Sequence, residues 1–395
     1  MKVLISGASI AGPLLAYWLA RGGCDVAVVE RAPALRKTGG HAVDLFRPAM
    51  DISERMGVLD RIEAHATGTT RLIAHQPPAT RPTNIDYVKV VAMVSDRHVE
   101  IMRDDLSAIY YDAARDAADF RFGDQITAIA DDGQVAFEHA PSEHFDVIVG
   151  ADGLHSGVRR LVFGEHVPEQ FLGGYLSVVS VPKSLARNGE MVGYLVPGKI
   201  AMIYTADHLD DARAVYIFRP GGPMDYDHRD VARQQRQLGA AFGGMAPEVD
   251  RWLEEVDHTP AFYFDAITQL QMSTWSRGRV TLVGDAGYCP GPAVGGSTSL
   301  AVYGAYVLAA EIARAGDDYA AAFANYERTM AAPVSGSRKL AAVNAKTIVP
   351  GSRWGIKALM GTARTISLLP IGLTQSLARL NPKGVRLYDT MPLPD

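Results

Sequence analysis

The chain begins with an unbroken apolar run, Val3-Leu4-Ile5-Ser6, the pattern of a strand buried on both faces of a parallel sheet. A glycine turn at residues 7–12 leads into a helical stretch over 13–21. Pro13 suits a first helical turn, where the missing amide hydrogen would have no partner, and Gly22-Gly23 ends the helix. The next apolar run, Val26-Ala27-Val28-Val29, closes on Glu30 and completes a βαβ unit. Helical periodicity then covers 49–66 and 104–117. Residues 71–94 alternate weakly and read as β. Residues 125–130 and 134–138 form a hairpin pattern across Asp131-Asp132-Gly133, and 145–150 return to a buried strand.

The character changes between about 172 and 270. Short strands at 191–196, 201–205 and 214–219 are separated by Pro197-Gly198 and Pro220-Gly221, with a helical stretch over 228–242. This predicts an antiparallel sheet with a covering helix, inserted into the parallel fold. Residues 279–284 resume the parallel core. Helices are expected at 300–315, 317–347 and 353–380, the last broken at Pro370-Ile371-Gly372. The fold class is therefore α/β: a Rossmann-like domain with an inserted antiparallel β-sheet and C-terminal helices.

Composition narrows the function. The chain has 395 residues and is 48% apolar, enough for a large core and two or three domains. The net charge of -5, with no basic block, argues against a nucleic-acid partner. Cys24 and Cys289 have neither the spacing nor the histidine neighbours of a zinc site, a disulfide framework or a redox dithiol, so no metal is expected. No apolar run is long enough to span a bilayer, and no membrane partner is expected. The immediate entry into a strand leaves no signal peptide, which predicts a cytoplasmic location.

Three motifs carry the chemistry. Gly7-Ala8-Ser9-Ile10-Ala11-Gly12 is a dinucleotide fingerprint with Ser9 at the second glycine, where a small hydroxyl still admits a phosphate. Glu30 ends the second strand, where an acid holds an adenosine ribose hydroxyl. The second motif is Gly150-Ala151-Asp152-Gly153, followed by Ser156 and Arg159; taken alone, Asp152 could also simply cap the helix that follows. The third is Gly284-Asp285-Ala286-Gly287, followed by Pro290, Pro292, Gly295 and a helix from about Thr298, whose N-terminus offers free amides and a positive dipole end.

In this order and at these separations, the motifs resemble the class A flavin monooxygenases, the para-hydroxybenzoate hydroxylase-like aromatic hydroxylases, over roughly residues 1–335. Within that family the local match is to the tetracycline-inactivating branch, through Arg36-Lys37-Thr38-Gly39-Gly40-His41-Ala42-Val43-Asp44-Leu45 and Ile101-Met102-Arg103-Asp104-Asp105-Leu106. The resemblance implies a discontinuous FAD-binding domain of the GR2 type at 1–72, 96–170 and 276–335. It also implies a substrate domain at 73–95 and 171–275 and a helical C-terminal segment at 336–395. The implied cofactor-binding set is Gly7, Ser9, Ile10, Ala11, Gly12, Glu30, Arg31, Arg36, Asp44, Arg103, Asp152, Asp285, Gly295, Ser297 and Thr298. Arg36, Pro292 and Gly295 are the expected catalytic positions.

The implied reaction runs on the cofactor. NADPH or NADH, bound transiently without its own Rossmann domain, reduces FAD. Reduced FAD takes up O2 as a C4a-hydroperoxide, which hydroxylates an aromatic or polyketide-like small molecule. Tyr194, Tyr204 and Tyr216 are the candidate substrate contacts, and the protein is expected as a monomer or homodimer. The chain departs from the family pattern at Tyr288, where a histidine is usual, and at Ser297 and Ser299, where glycine and asparagine are usual. Another flavoprotein oxidoreductase, or a homologue that binds flavin or ligand without turnover, is the alternative. The scattered tryptophans 18, 252, 275 and 354 do not form the element of related halogenases.

Overall fold

The computed structural model describes residues 1–35, 40–225, 227, 229–259, 261–292, 296–379 and 386–394. Its first strand, Lys2–Ser6, lies inside a six-stranded sheet. Val147–Gly150 and Asp25–Glu30 flank it in parallel, with Val3 opposite both Val147 and Val26. Val3, Leu4 and Ile5 are completely buried, which is why the run shows no polar alternation. Val280–Leu282 and Asp119–Phe122 extend the sheet on either side, and Ser276–Arg277 adds an antiparallel edge. The helix Ala11–Arg21 crosses between the first two strands.

A seven-stranded sheet forms the second layer, in the order Phe262–Leu270, Glu169–Pro182, Asp211–Phe218, Lys199–Tyr204, Glu190–Val196, Arg71–His75, Thr83–Asp86. Its two faces bury different clusters. Tyr194, Tyr216 and Phe218 face the helices Val231–Phe242 and Pro247–Glu254, against Phe242 and Trp252. Leu195, Tyr204, Val215 and Ile267 face inward, against Met102 and the C-terminal helices through Ala341, Ile356 and Met360. A two-stranded ribbon, Ala42–Phe46 paired with His98–Met102, lies between this inner face and the first domain.

Several elements differ from the sequence pattern. Residues 71–94 hold two strands, but Tyr87–Ala92 is a helix, because Asp86 accepts from the Lys89 amide and caps it despite three valines. The 49–66 helix is two, Arg47–Arg55 and Leu59–Ala64, separated at Gly57 with φ +74°. The 14-residue strand Glu169–Pro182 and the helix Pro247–Glu254 had no separate sequence signal. The helix Tyr319–Thr347 runs unbroken through position 335, and the tail forms Arg353–Leu368 and Ile371–Arg379 around Pro370. No described helix is long and apolar enough to cross a membrane.

Candidate flavin and substrate site

The glycine turn is set by close approach. Gly7 has φ +109°, and a Cβ there would lie 2.5 Å from the Ala151 carbonyl oxygen; at Gly12 it would lie 1.9 Å from that of Gly7. The Gly7 amide donates to the Val29 carbonyl, 2.8 Å. Glu30 accepts from the amides of Ala8 (3.0 Å) and Ala32 (2.8 Å), which fixes its carboxylate at the mouth of the turn. Arg31 beside it is exposed. Ile10 caps the helix without a side-chain bond, so the first-turn amides at Ala11 and Gly12 are open to an anion. Ser9 has a defined partner: its hydroxyl accepts from Arg103 Nη2, 3.2 Å, and its carbonyl accepts from Ser107, 2.9 Å.

The second motif is a buckle. Asp152 accepts from the Ser156 hydroxyl and from the amides of Gly157 (2.8 Å) and Val158 (3.1 Å), capping the helix Gly157–Phe163. Buried Arg159 donates to the Ala286 carbonyl, 2.8 Å, and so ties this motif to the third. Burial pushes the Asp152 carboxyl up, while these donors pull it down.

Arg103 begins the helix Arg103–Ala114 and is the charge around which the site is organised. It opposes the burial that pushes the Asp285 carboxyl up. It also acts on His41, whose pKa is pushed down to about 4, chiefly by burial and then by this guanidinium. His41, Asp152, Tyr263 and Asp285 are densely surrounded yet keep some accessible surface. Asp104 accepts from the Gly40 amide, 2.8 Å, and a Cβ at Gly40 would lie 2.6 Å from that carboxylate. Arg213 Nε donates to the Gly40 carbonyl, 2.9 Å, which holds the turn before His41 to the seven-stranded sheet.

Asp44 pairs with His98 Nε2, 2.6 Å, across the ribbon. Ser299 joins the third motif to the same ribbon: its hydroxyl donates to the Asp44 carbonyl (2.9 Å) and accepts from the Phe46 amide (3.0 Å). Ser297 and Thr298 begin the helix Ser297–Ala315 after Gly296, φ +61°, which again lacks a side-chain cap. A Cβ at Gly296 would lie 2.7 Å from the Tyr388 ring, and that ring stacks on Phe46 at 5.2 Å. Pro292 is buried. Arg36 and Gly295 lie outside the described residues. Tyr288 points away from the site: its hydroxyl meets that of Tyr326, 3.0 Å, and Tyr326 donates to the Leu282 carbonyl.

The three tyrosines do not converge. Tyr204 lies on the inner face, and its hydroxyl accepts from the Ala42 amide, 2.7 Å, one residue from His41. Tyr194 and Tyr216 lie on the outer face, Tyr194 stacked on His75 and Tyr216 packed edge-on against Phe242. Sequence reasoning passed over the group that does reach the site. Tyr263 and Asp265 alternate along Phe262–Leu270 onto the inner face. Asp265 accepts from Ala266 N (2.8 Å), is bonded to His155 Nε2 (3.0 Å), and lies 3.4 Å from the Tyr263 hydroxyl, while the Tyr263 ring stands 6.1 Å from that of His41. Period-two alternation was the available signal.

The fit to FAD is thus physical: two uncapped helix N-termini, two glycines that admit no Cβ, and half-buried carboxylates near one arginine. The family model for the FAD binding domain matches residues 1–329. This chain belongs to that family, the class A flavin monooxygenases. FAD is the cofactor. A Mycobacterium tuberculosis protein, Rv1260, is 40% identical over 82% of this chain and 88% of its own length. A flavin-dependent monooxygenase of Legionella longbeachae is 33% identical over 86% of this chain and 87% of its own. Among solved structures, tetracycline destructase Tet(51) superposes with a TM-score of 0.84 at 30% identity, covering 100% of this chain and 99% of that one. Tet(55) gives 0.80 at 32%, covering 93% and 98%. HpxO of Klebsiella pneumoniae, complexed with FAD and uric acid, shares the fold at 22% identity and a TM-score of 0.73, covering 97% of each chain.

Proposed function

We propose that the protein uses NADPH or NADH and O2 to hydroxylate a planar aromatic or polyketide-like molecule held between the flavin and the inner face of the seven-stranded sheet. The observation that carries this reading is the layer of Tyr204, Tyr263 and Asp265 facing the wall of His41, Arg103 and Asp285. The names of the tetracycline destructases support a polycyclic substrate class. In this reading the six-stranded sheet carries the cofactor and the seven-stranded sheet the substrate.

Bound FAD supplies electron acceptance from the nicotinamide and the activation of oxygen. The turn at residues 7–12 and Glu30 would hold its adenosine and pyrophosphate end. Asp285 and the first turn at Ser297 and Thr298 would bind its other end, where a positive helix terminus favours negative charge. Arg103 offsets the acids around it. His41 is neutral at neutral pH, so its imidazole can accept or donate one hydrogen bond without adding a cation beside Arg103. Asp265, oriented by His155 and the Ala266 amide, takes a proton from a substrate hydroxyl directly or through Tyr263.

The test is the flavin spectrum under anaerobic conditions. NADPH should bleach the yellow protein, and a subset of phenolic and polyketide-like compounds should speed the bleaching; readmitted air should give a product heavier by one oxygen. Flavin that no nicotinamide reduces, or reduction with only hydrogen peroxide formed for every compound, would sink the monooxygenase reading.

A further inference from the structure

Between Glu327 and Asp389 the chain carries ten lysines and arginines and no aspartate or glutamate, in a protein with net charge -5. These cations are dispersed, so no local block marks them. The helix Arg353–Leu368 gathers some of them. Its inward side, Ile356 and Met360, packs beneath the seven-stranded sheet. On the opposite side Trp354 is 79% exposed and Leu368 77%. At 100° per residue, Trp354, Gly361 and Leu368 fall on one outward stripe, with exposed Arg353, Lys357 and Arg364 along its edge. The Lys357 ammonium stands 5.1 Å over the Trp354 ring. Near the C-terminal end of this helix, exposed Ile371 on the next helix and Val88 on the facing helix Tyr87–Ala92 share one surface with Ser367, Asp86 and Lys89.

We propose that this helix pair is a docking surface for an anionic lipid bilayer. A helix that buries one apolar side in protein has no folding reason to expose a tryptophan and a leucine on the other. In a bilayer interface the ring and the leucine sit at the acyl boundary, and the cations at their edge meet anionic headgroups. The charge also selects against a second copy of the chain. A two-fold contact would bring the same patch against itself and oppose Arg353, Lys357 and Arg364 with their own copies. The helix is 16 residues long, and the surface lies on the membrane and does not cross it. This site is separate from the flavin and independent of the reaction proposed above.

The experiment is sedimentation of the FAD-loaded protein with vesicles of phosphatidylcholine, alone or mixed with phosphatidylglycerol, at low and high salt. Binding should require phosphatidylglycerol and weaken with salt. R353Q/K357Q/R364Q should lower the partition coefficient about 100-fold, and W354A/L368A about tenfold. Brominated lipid should quench the wild type, and Trp354→Phe should remove most of that quenching, since Trp252 and Trp275 are buried and Trp18 is half-buried. Both variants should keep wild-type FAD content, circular dichroism and NADPH oxidation, which separates lost docking from lost folding. The proposal is overturned by absent binding to phosphatidylglycerol at low salt, by equal binding to both lipids, or by binding that the triple variant leaves unchanged. A concentration-dependent dimer that W354A/L368A abolishes, with vesicles ignored, would assign the face to a second copy and overturn it too.

Discussion

Replacing His41 with glutamine should flatten part of the acid limb of the stability curve. The folded imidazole gives up its proton at about 4, against an ordinary 6.5, because its surroundings exclude water and Arg103 repels the cation; Asp44 opposes more weakly. Between those values the unfolded chain binds more protons than the folded one, so stability rises with pH. The contribution is complete above 6.5 and is lost as pH falls toward 4. At 1.36 kcal/mol per pH unit the full span is about 3 kcal/mol, of which about 2.5 kcal/mol is lost by about pH 4.5. Urea unfolding of the FAD-free protein at about pH 7.5 and about pH 4.5 reads this as wild type minus H41Q. Glu100, Asp104, Asp152 and Asp285, all pushed up by burial, tilt the curve the other way, but equally in both proteins, and cancel in the difference. A wild-type-minus-variant difference that stays constant between the two pH values would refute the desolvated histidine.

Three further substitutions follow. Arg103→Met removes the donor to Ser9 and the cation beside Asp285, and should weaken FAD binding roughly ten- to 100-fold, the worth of one charged hydrogen bond; an unchanged Kd from flavin fluorescence on dilution would exclude the role. Ser299→Ala leaves the Phe46 amide unpaired in the interior and should cost about 1–3 kcal/mol in urea unfolding; no change in midpoint would mean the ribbon is held otherwise. Gly304→Ala would put a methyl 2.0 Å from the Tyr288 hydroxyl and should cost about 1–3 kcal/mol. Tyr288→Phe should recover part of that loss, and additive costs in the double variant would show that the contact is not made.

The cofactor half was legible because its constraints are local. A buried parallel strand must be apolar throughout, and a turn that brings Gly12 against the Gly7 carbonyl must be glycine, so residues 3–30 declare themselves in the sequence. The motif around Asp152 was legible as a pattern, but its hydrogen bonds are those of a helix cap, one of the two readings its spacing allowed. Tyr288 and Ser299, which the family comparison marks as departures, turn out to be tied to helix Tyr319–Thr347 and to the ribbon by contacts 38 and 253 positions away. The seven-stranded sheet was less legible. Alternation along a strand sorts residues onto two faces but does not say which face a helix will cover. The helices Val231–Phe242 and Pro247–Glu254 cover Tyr194 and Tyr216 and leave Tyr204, Tyr263 and Asp265 on the side of His41.

The ring of Tyr388 against Gly296 and Phe46, with the bond from Ser95 to Asp389, bears on when the enzyme can be loaded in a cell. That bond joins positions 294 residues apart. At roughly 5–20 residues per second the ribosome needs about 15–60 s to pass from one partner to the other. The nascent chain therefore holds the glycine turn, the ribbon and Arg103 for much of its synthesis before Tyr388 can pack against the start of helix Ser297–Ala315. A chain stalled before residue 388 would carry the dinucleotide fingerprint but leave Gly296 and Phe46 without the ring that packs on them.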